Sequence, residues 1–351
     1  MSDIVQVVRA LCASPSHDGA GNAVPLAITP ATMRGAFASI LDGGAAELEM
    51  GALMAAAASL EAQHSGNRFA EIVLGLSDAI RDRMMPLAAD GSPAPVVVLP
   101  NYGDDDLAPA VPLIALLLRR LGVRVLIHGA IETHGGLLNC SVLREFGILP
   151  AATRGQAARQ LAENGLALLP VTLFSPGLAA MLSLRNRLGL RTPAHALAKM
   201  LMPVLAPATR SLHALHIAPW LKAHLAEESV VLDTPALLVA VADSSEGGTF
   251  ESAAQISFRE VEKHPGWQVL TDMEGIYTSR RPASNVSLER IPGQNDPRAW
   301  TEWTRHRIEG RAVLPQLVAS QLACCLYGCG YAADFHQAKA IAAVELSTLA
   351  A

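Results

Sequence analysis

Lysine is scarce in this chain. Of 27 basic residues only four are lysines (Lys199, Lys222, Lys263 and Lys339), and the rest are arginine. Charged residues amount to 17% and the formal net charge is −5, which counts against wholesale attraction to nucleic acid but leaves room for a local basic patch. No apolar run reaches the roughly 18 residues that a membrane helix needs, because prolines and arginines interrupt each candidate. The opening "MSDIVQVVRALCASP" lacks the basic-then-apolar layout of a secretory signal. A cytoplasmic protein without a membrane segment is the expectation. Cysteines are few and odd in number, five in all (Cys12, Cys140, Cys324, Cys325 and Cys329), which argues against a disulfide framework. The cluster "ACCLYGC" has the wrong spacing for a zinc knuckle and no second cluster to complete one. It reads as buried helix cysteines. A P-loop, a Gly-x-Gly-x-x-Gly fingerprint and a Ser-His-Asp order are missing as well.

What remains is a chain built to fold. Hydrophobic residues make up 51% of 351, enough for a large core and for two domains, or one with an appendage. Residues 30–83 read as helices. Thr29 is placed as N-cap before Pro30, and Gly43 and Gly44 as a stop. The stretch 86–95, rich in Pro, Gly and Ala, reads as a linker. Beyond it come short β-branched runs, "VVVL" (96–99), "VRVLI" (123–127), "LALLP" (166–170), "LHALHI" (212–217) and "ALLVAVA" (236–242), separated by helix-length segments. Such alternation implies βαβ units around a mostly parallel, buried sheet. Three more helices are expected near the end, after a polar loop at 277–296. The expected fold class is α/β with a small all-α domain. Residues 1–90, joined by 193–206, form the small domain, and 91–351 form the large one with its flanked central sheet.

"VVVLPNYGDDDLAPAVPLIALLLRRLG" (96–122) has the strand–loop–helix layout that points a helix N-terminus at a phosphate. "RVLIHGAIETHGG" (124–136) follows, and "AMLSLRNRLGLRTPAHALAKMLMPVLAP" (180–207) comes later. These stretches, in this order, resemble the anthranilate phosphoribosyltransferase family, nucleoside phosphorylase/phosphoribosyltransferase type in fold, over about residues 25–347. Arg185 through Thr192 carry the most specific match. The resemblance implies that Leu99, Pro100, Asn101, Tyr102, Gly103 and Asp104 stand in the donor loop that cradles pyrophosphate. It places His128 and Gly129 in the pocket and Arg185 against the aromatic acceptor. The departures are plain. The family's glycine-rich loop is replaced by larger residues, and Pro100 has no N–H to donate. Ile127 and Ala130 replace the lysine and asparagine on either side of His-Gly. The paired Asp-Glu that holds magnesium has no clear match. Asp104 and Asp105 with Glu246 and Glu251 remain as candidate metal ligands.

Asp104, Asp105 and Asp106 allow two readings. They offer an N-cap and favourable charge to the following helix, or oxygen ligands for a metal that bridges a phosphate. Without a metal each would repel a close phosphate by about 1 kcal/mol even at solvent-like screening. The C-terminal tail from "RIPGQNDPRAW" onward is similar to a divergent TrpD-like subgroup whose members bind nucleic acid as homodimers. Arg185, Arg187 and Arg191, with Lys199, Arg210, Arg280 and Arg281, are the candidate phosphate contacts. The family pairs subunits through its small domain, which "GALMAAAASL" (51–60) would suit. Three functions follow: a degenerate homodimer binding nucleic acid non-specifically in an arginine-lined groove and needing no cofactor, a Mg-dependent pentosyl (phosphoribosyl) transferase with an altered donor loop, or a structural dimer with a small ligand.

Overall fold

The computed structural model describes residues 3–12, 16–17, 23–24, 28–62, 66–88, 94, 96–102, 110–132, 134–190, 192–198, 201, 203–205, 211–215, 236–241, 256–257, 296–314, 318–319, 322–323, 325–326, 329–333 and 335–347. They fall into two compact units. The first takes its described residues from Met1–Met85 and Val171–Leu201, and the second from Pro86–Pro170, Met202–Pro219 and Val231–Ala351.

The first unit is helical: α1 (Asp3–Cys12), α2 (Pro30–Leu41), α3 (Glu47–Ala62) and α4 (Gly66–Arg81), with short helices at Pro176–Ser183, Arg185–Leu188 and Pro193–Ala198. Thr29 caps α2 as the sequence predicts. Its hydroxyl accepts from Thr32 N at 3.2 Å and its own N–H donates to Thr32 Oγ1 at 3.1 Å, so two orphan donors are satisfied at once. Met33, Ala36, Phe37 and Ile40 of α2 are buried, as are Ile72, Leu76 and Ile80 of α4. The two helices cross at Gly75, where a Cβ would come within 2.4 Å of Met33 Cβ. Bidentate bonding of Arg83 to Asp42 (2.6 and 2.8 Å) and an Arg34–Asp82 ion pair flank the crossing.

The second unit is a six-stranded sheet with helices. Its strands are β1 (Val96–Asn101), β2 (Arg124–Gly129), β3 (Leu166–Pro170), β4 (Ser211–Leu215), β5 (Ala236–Val241) and β6 (Ile256–Ser257), in the order β6-β5-β4-β1-β2-β3. All neighbours are parallel except β6, which runs against β5. The β-branched runs exist because the central strands are buried on both faces: Val96 through Leu99 and Val125 through Ile127 are almost fully covered. α5 (Ala110–Arg120) joins β1 to β2, α6 (His134–Glu145) follows β2, and α7 (Arg154–Asn164) leads into β3. α8 (Pro297–Ile308) packs on α5 and α6. Its Trp300 and Trp303 stand edge to face at 5.1 Å within the core. Cys325 and Cys329 are buried in the same core, as the spacing of "ACCLYGC" implies, and burial raises both thiol pKa values. α9 (Phe335–Ser347) ends the described chain. Among the described residues no helix is long and apolar enough to cross a membrane.

Two details differ from the expectation. Leu87–Ala88, inside the expected linker, pair in parallel with Val204–Leu205. β1 also runs on through Pro100 and Asn101, so Leu99, Pro100 and Asn101 are strand and not loop. A proline reads as a strand breaker, yet here it lies near the strand's end in register with His128.

Candidate ligand site at the strand ends

In a parallel sheet the carboxyl ends of the strands open onto a crevice where the strand order reverses. Here the chain passes from β1 to β2 and β3 on one side and returns to β4 on the other. The end of β1 is therefore the place to look. Pro100, His128 and Leu169 share one level of the sheet, and Asn101, Gly129 and Pro170 the next.

Side chains fill this end. Asn101 is 1% exposed. Its Nδ2 donates to Ala130 O at 3.3 Å and towards Cys140 Sγ at 3.4 Å, while its Oδ1 accepts from Asn139 Nδ2 at 2.8 Å. Oδ1 of Asn139 is buried with no partner among the described residues, a position that one water or one ligand N–H would satisfy. Burial pushes the Cys140 thiol up to about 11, against a smaller lowering by Asn101. Thiol and amides are thus neutral together.

Tyr102 follows at 3% exposed, and its hydroxyl lies 3.0 Å from Nδ1 of the fully buried His128. The rings meet edge to face at 5.4 Å. Burial holds the phenol well above its ordinary pKa, so it stays protonated. The protonated phenol and Nδ1 share one hydrogen bond, whose direction follows the imidazole tautomer. Gly129 makes the close fit possible. Its φ is +153°, and a Cβ there would lie 2.2 Å from Asn101 O, so any side chain would drive β1 and β2 apart.

The structure brings Leu99, Pro100, Asn101, Tyr102, His128 and Gly129 together at the strand ends, and the sequence gives His128 no partner. It misses Tyr102 in that role, and it misses Asn139 and Cys140. No local signal marks these pairs, since Asn101 and Asn139 are 38 residues apart and Tyr102 and His128 are 26 apart.

Arg185 lies in the first unit and is only 8% exposed. Arg187 is 64% exposed and pairs with Glu47 at 2.7 Å. Beside it, Thr192 and His195 cap the next short helix. Thr192 N donates to His195 Nδ1 at 3.3 Å. Gly103, Asp104, Asp105, Asp106, Arg191, Lys199, Arg210, Glu246, Glu251, Arg280 and Arg281 lie outside the described residues.

No family model matches the chain. It is 28% identical over 303 residues to the uncharacterized protein YbiB of Escherichia coli K12, covering 86% of this chain and 89% of that one. Among solved structures it is similar to anthranilate phosphoribosyltransferase from Thermus thermophilus, with a TM-score of 0.65 and 17% identity over 99% of this chain and 95% of that one. It is also similar to the Saccharomyces cerevisiae enzyme in complex with PRPP and Mg, with a TM-score of 0.64 and 12% identity over 99% and 94%. The chain has the anthranilate phosphoribosyltransferase fold.

Magnesium finds no fit in the described part of the site. That part presents an amide pair, a phenol, an imidazole and a thiol, whereas the ion takes carboxylates and phosphates. Among the described residues no group of three or more His, Cys, Asp or Glu could hold a metal.

Proposed function

We propose that this protein, on the anthranilate phosphoribosyltransferase scaffold, no longer seats phosphoribosyl pyrophosphate at its strand ends and serves as a cytoplasmic homodimer that binds nucleic acid without sequence preference. The observation that carries the reading is the filled end of β1. A diphosphate cradle needs bare backbone N–H groups at close range. Here Asn101 and Tyr102 are buried in its place and hydrogen-bonded to Ala130, Asn139 and His128. Admitting the donor would strand these groups, at about 1–3 kcal/mol for each buried polar group left unpaired.

The nucleic-acid half is supported by the resemblance of the C-terminal tail to the nucleic-acid-binding subgroup and by the excess of arginine over lysine. Arginine is the better bidentate partner for phosphate. Arg187 suits the role. Its ion pair with Glu47 joins side chains 64% and 71% exposed. Such a pair contributes at most about 1 kcal/mol and gives way readily to a phosphate. Arg191, Lys199, Arg210, Arg280 and Arg281, outside the described residues, are the further phosphate contacts that the sequence offers. Dimerisation is assigned to the small helical unit, through the alanine-rich face of α3. A mobility-shift titration over a salt series tests the reading: affinity falling steeply with salt supports it, and binding indifferent to salt contradicts it.

The second reading is a Mg-dependent pentosyl transferase. It rests on the retained, buried Arg185 and on a similar enzyme solved with PRPP and Mg. It requires Asp104, Asp105, Glu246 and Glu251 to supply the metal site.

A further inference from the structure

Three helices of the second unit close alike. α5 ends in "RRLG" (119–122), α6 in "REFG" (144–147) and α8 in "RIEG" (307–310). Gly122, Gly147 and Gly310 take φ of 79°, 75° and 71°, the left-handed turn that suits glycine after a helix. In α5, Gly122 N donates to Arg119 O at 2.9 Å and Val123 N to Leu118 O at 3.0 Å. Gly147 and Ile148 repeat the pattern on Arg144 O and Leu143 O, and Gly310 and Arg311 on Arg307 O and His306 O.

The three ends also meet. Arg120 donates from Nη1 to Ile308 O at 2.9 Å, and the Arg305 guanidinium stands 5.8 Å from the Phe146 ring centroid. The chain enters β2 at Arg124, just after α5 ends. This face therefore lies at the amino edge of the strands, away from Asn101 and His128. Arg119, Arg120, Arg144, Arg305 and Arg311 are exposed on it, against Glu145, Glu302 and Glu309 in the same stretches. Five arginines to three carboxylates is an excess of positive charge in a chain whose net charge is −5. Complementing the helix dipoles is one use for such residues. Yet backbone turns already engage carbonyls at each of the three ends, and Arg120 caps a neighbouring helix. The Arg311–Glu309 pair is exposed and replaceable.

We propose that this arginine face is a phosphate-backbone contact surface for nucleic acid, additional to Arg187 and the groove. The inference rests on the nucleic-acid reading and gives it a second surface. Guanidinium groups grip phosphate oxygens in bidentate fashion. Each phosphate neutralised adds roughly 0.7 to 0.9 to the log–log salt slope of binding.

The test is fluorescence anisotropy over a salt series with a labelled DNA duplex and a labelled single strand. The proteins compared are the full chain, a combined Arg119→Ala, Arg144→Ala and Arg305→Ala variant, and its all-lysine counterpart. The alanine variant should lose about 2 to 3 from the slope, and the lysine variant should keep it. If the triple variant misfolds by circular dichroism, single Arg→Ala variants should each lower the slope by about 0.7 to 0.9. An unchanged slope in an alanine variant of a chain that binds overturns this surface and spares the reading. So does an equal loss in both triple variants, since charge would then not be the cause. A parent chain without salt-dependent binding overturns both.

Discussion

The hydroxyl of Tyr102 and Nδ1 of His128 share a hydrogen bond of 3.0 Å just beyond the carboxyl end of β1. Both residues are buried, and neither ring can turn outward without breaking the other's hydrogen bond. Tyr102→Phe keeps the ring and removes the hydroxyl. It should cost about 1–3 kcal/mol in urea unfolding, because His128 Nδ1 is left buried and unpaired. A loss near zero would mean that the pair adds nothing.

Asn101 and Asn139 form a second lock. Asn139→Ala removes the 2.8 Å donor to Asn101 Oδ1 and should destabilise by a similar amount. Asn101→Ala removes three contacts at once and should cost more. Chemical denaturation of both variants and the double variant measures the coupling, which should be at least about 0.5 kcal/mol for residues in direct contact.

Gly129→Ala is the sharpest steric test. The new Cβ would fall 2.2 Å from Asn101 O, so β1 and β2 must separate. A loss of more than about 3 kcal/mol, or failure to fold, is expected. Gly75→Ala makes the parallel test in the first unit, where Met33 Cβ stands 2.4 Å from the added methyl.

Alkaline pH should weaken the second unit. The Cys140 thiol is pushed up to about 11 from 9.0 and the Tyr102 phenol well above 10.0, both by burial. A group whose folded pKa is raised gives stability that is complete below the unfolded pKa and lost as pH rises through the folded one. Unfolding free energy should therefore hold level to about pH 9 and fall above it. Cys140→Ala should lessen the first part of that fall without abolishing it, because burial raises the Cys325 and Cys329 thiols as well. The same slope in the variant would exclude the thiol.

Arg187→Ala should change stability by less than about 1 kcal/mol, since its partner Glu47 is an exposed carboxylate. It should nevertheless lower the salt slope of nucleic-acid binding by about 0.7 to 0.9, one phosphate contact. Titration at several ionic strengths compares the two effects in one variant.

Much of the fold could be read in advance, for physical reasons. A parallel sheet buried on both faces leaves uninterrupted β-branched runs, so Val96 through Leu99, Val123 through Ile127 and Leu166 through Pro170 announced themselves. Thr29 before Pro30 marked the start of α2 because both residues act locally. The site was legible only as far as its residues are neighbours in sequence. Tyr102 reaches His128, and Asn101 reaches Asn139 and Cys140, through strand register and helix placement, which no short pattern encodes. Arg185 was expected both against an aromatic acceptor and as a phosphate contact, and neither expectation gives its burial. Only the packing around its short helix shows it buried. Leu87–Ala88 were missed because two residues that pair with a distant segment carry no periodicity of their own.

Titration calorimetry of phosphoribosyl pyrophosphate with magnesium into the full chain tests the central claim most directly. The filled end of β1 predicts no binding heat at millimolar donor. A saturable isotherm in the micromolar range, weakened by substitution of Asn101 or Tyr102, would contradict it.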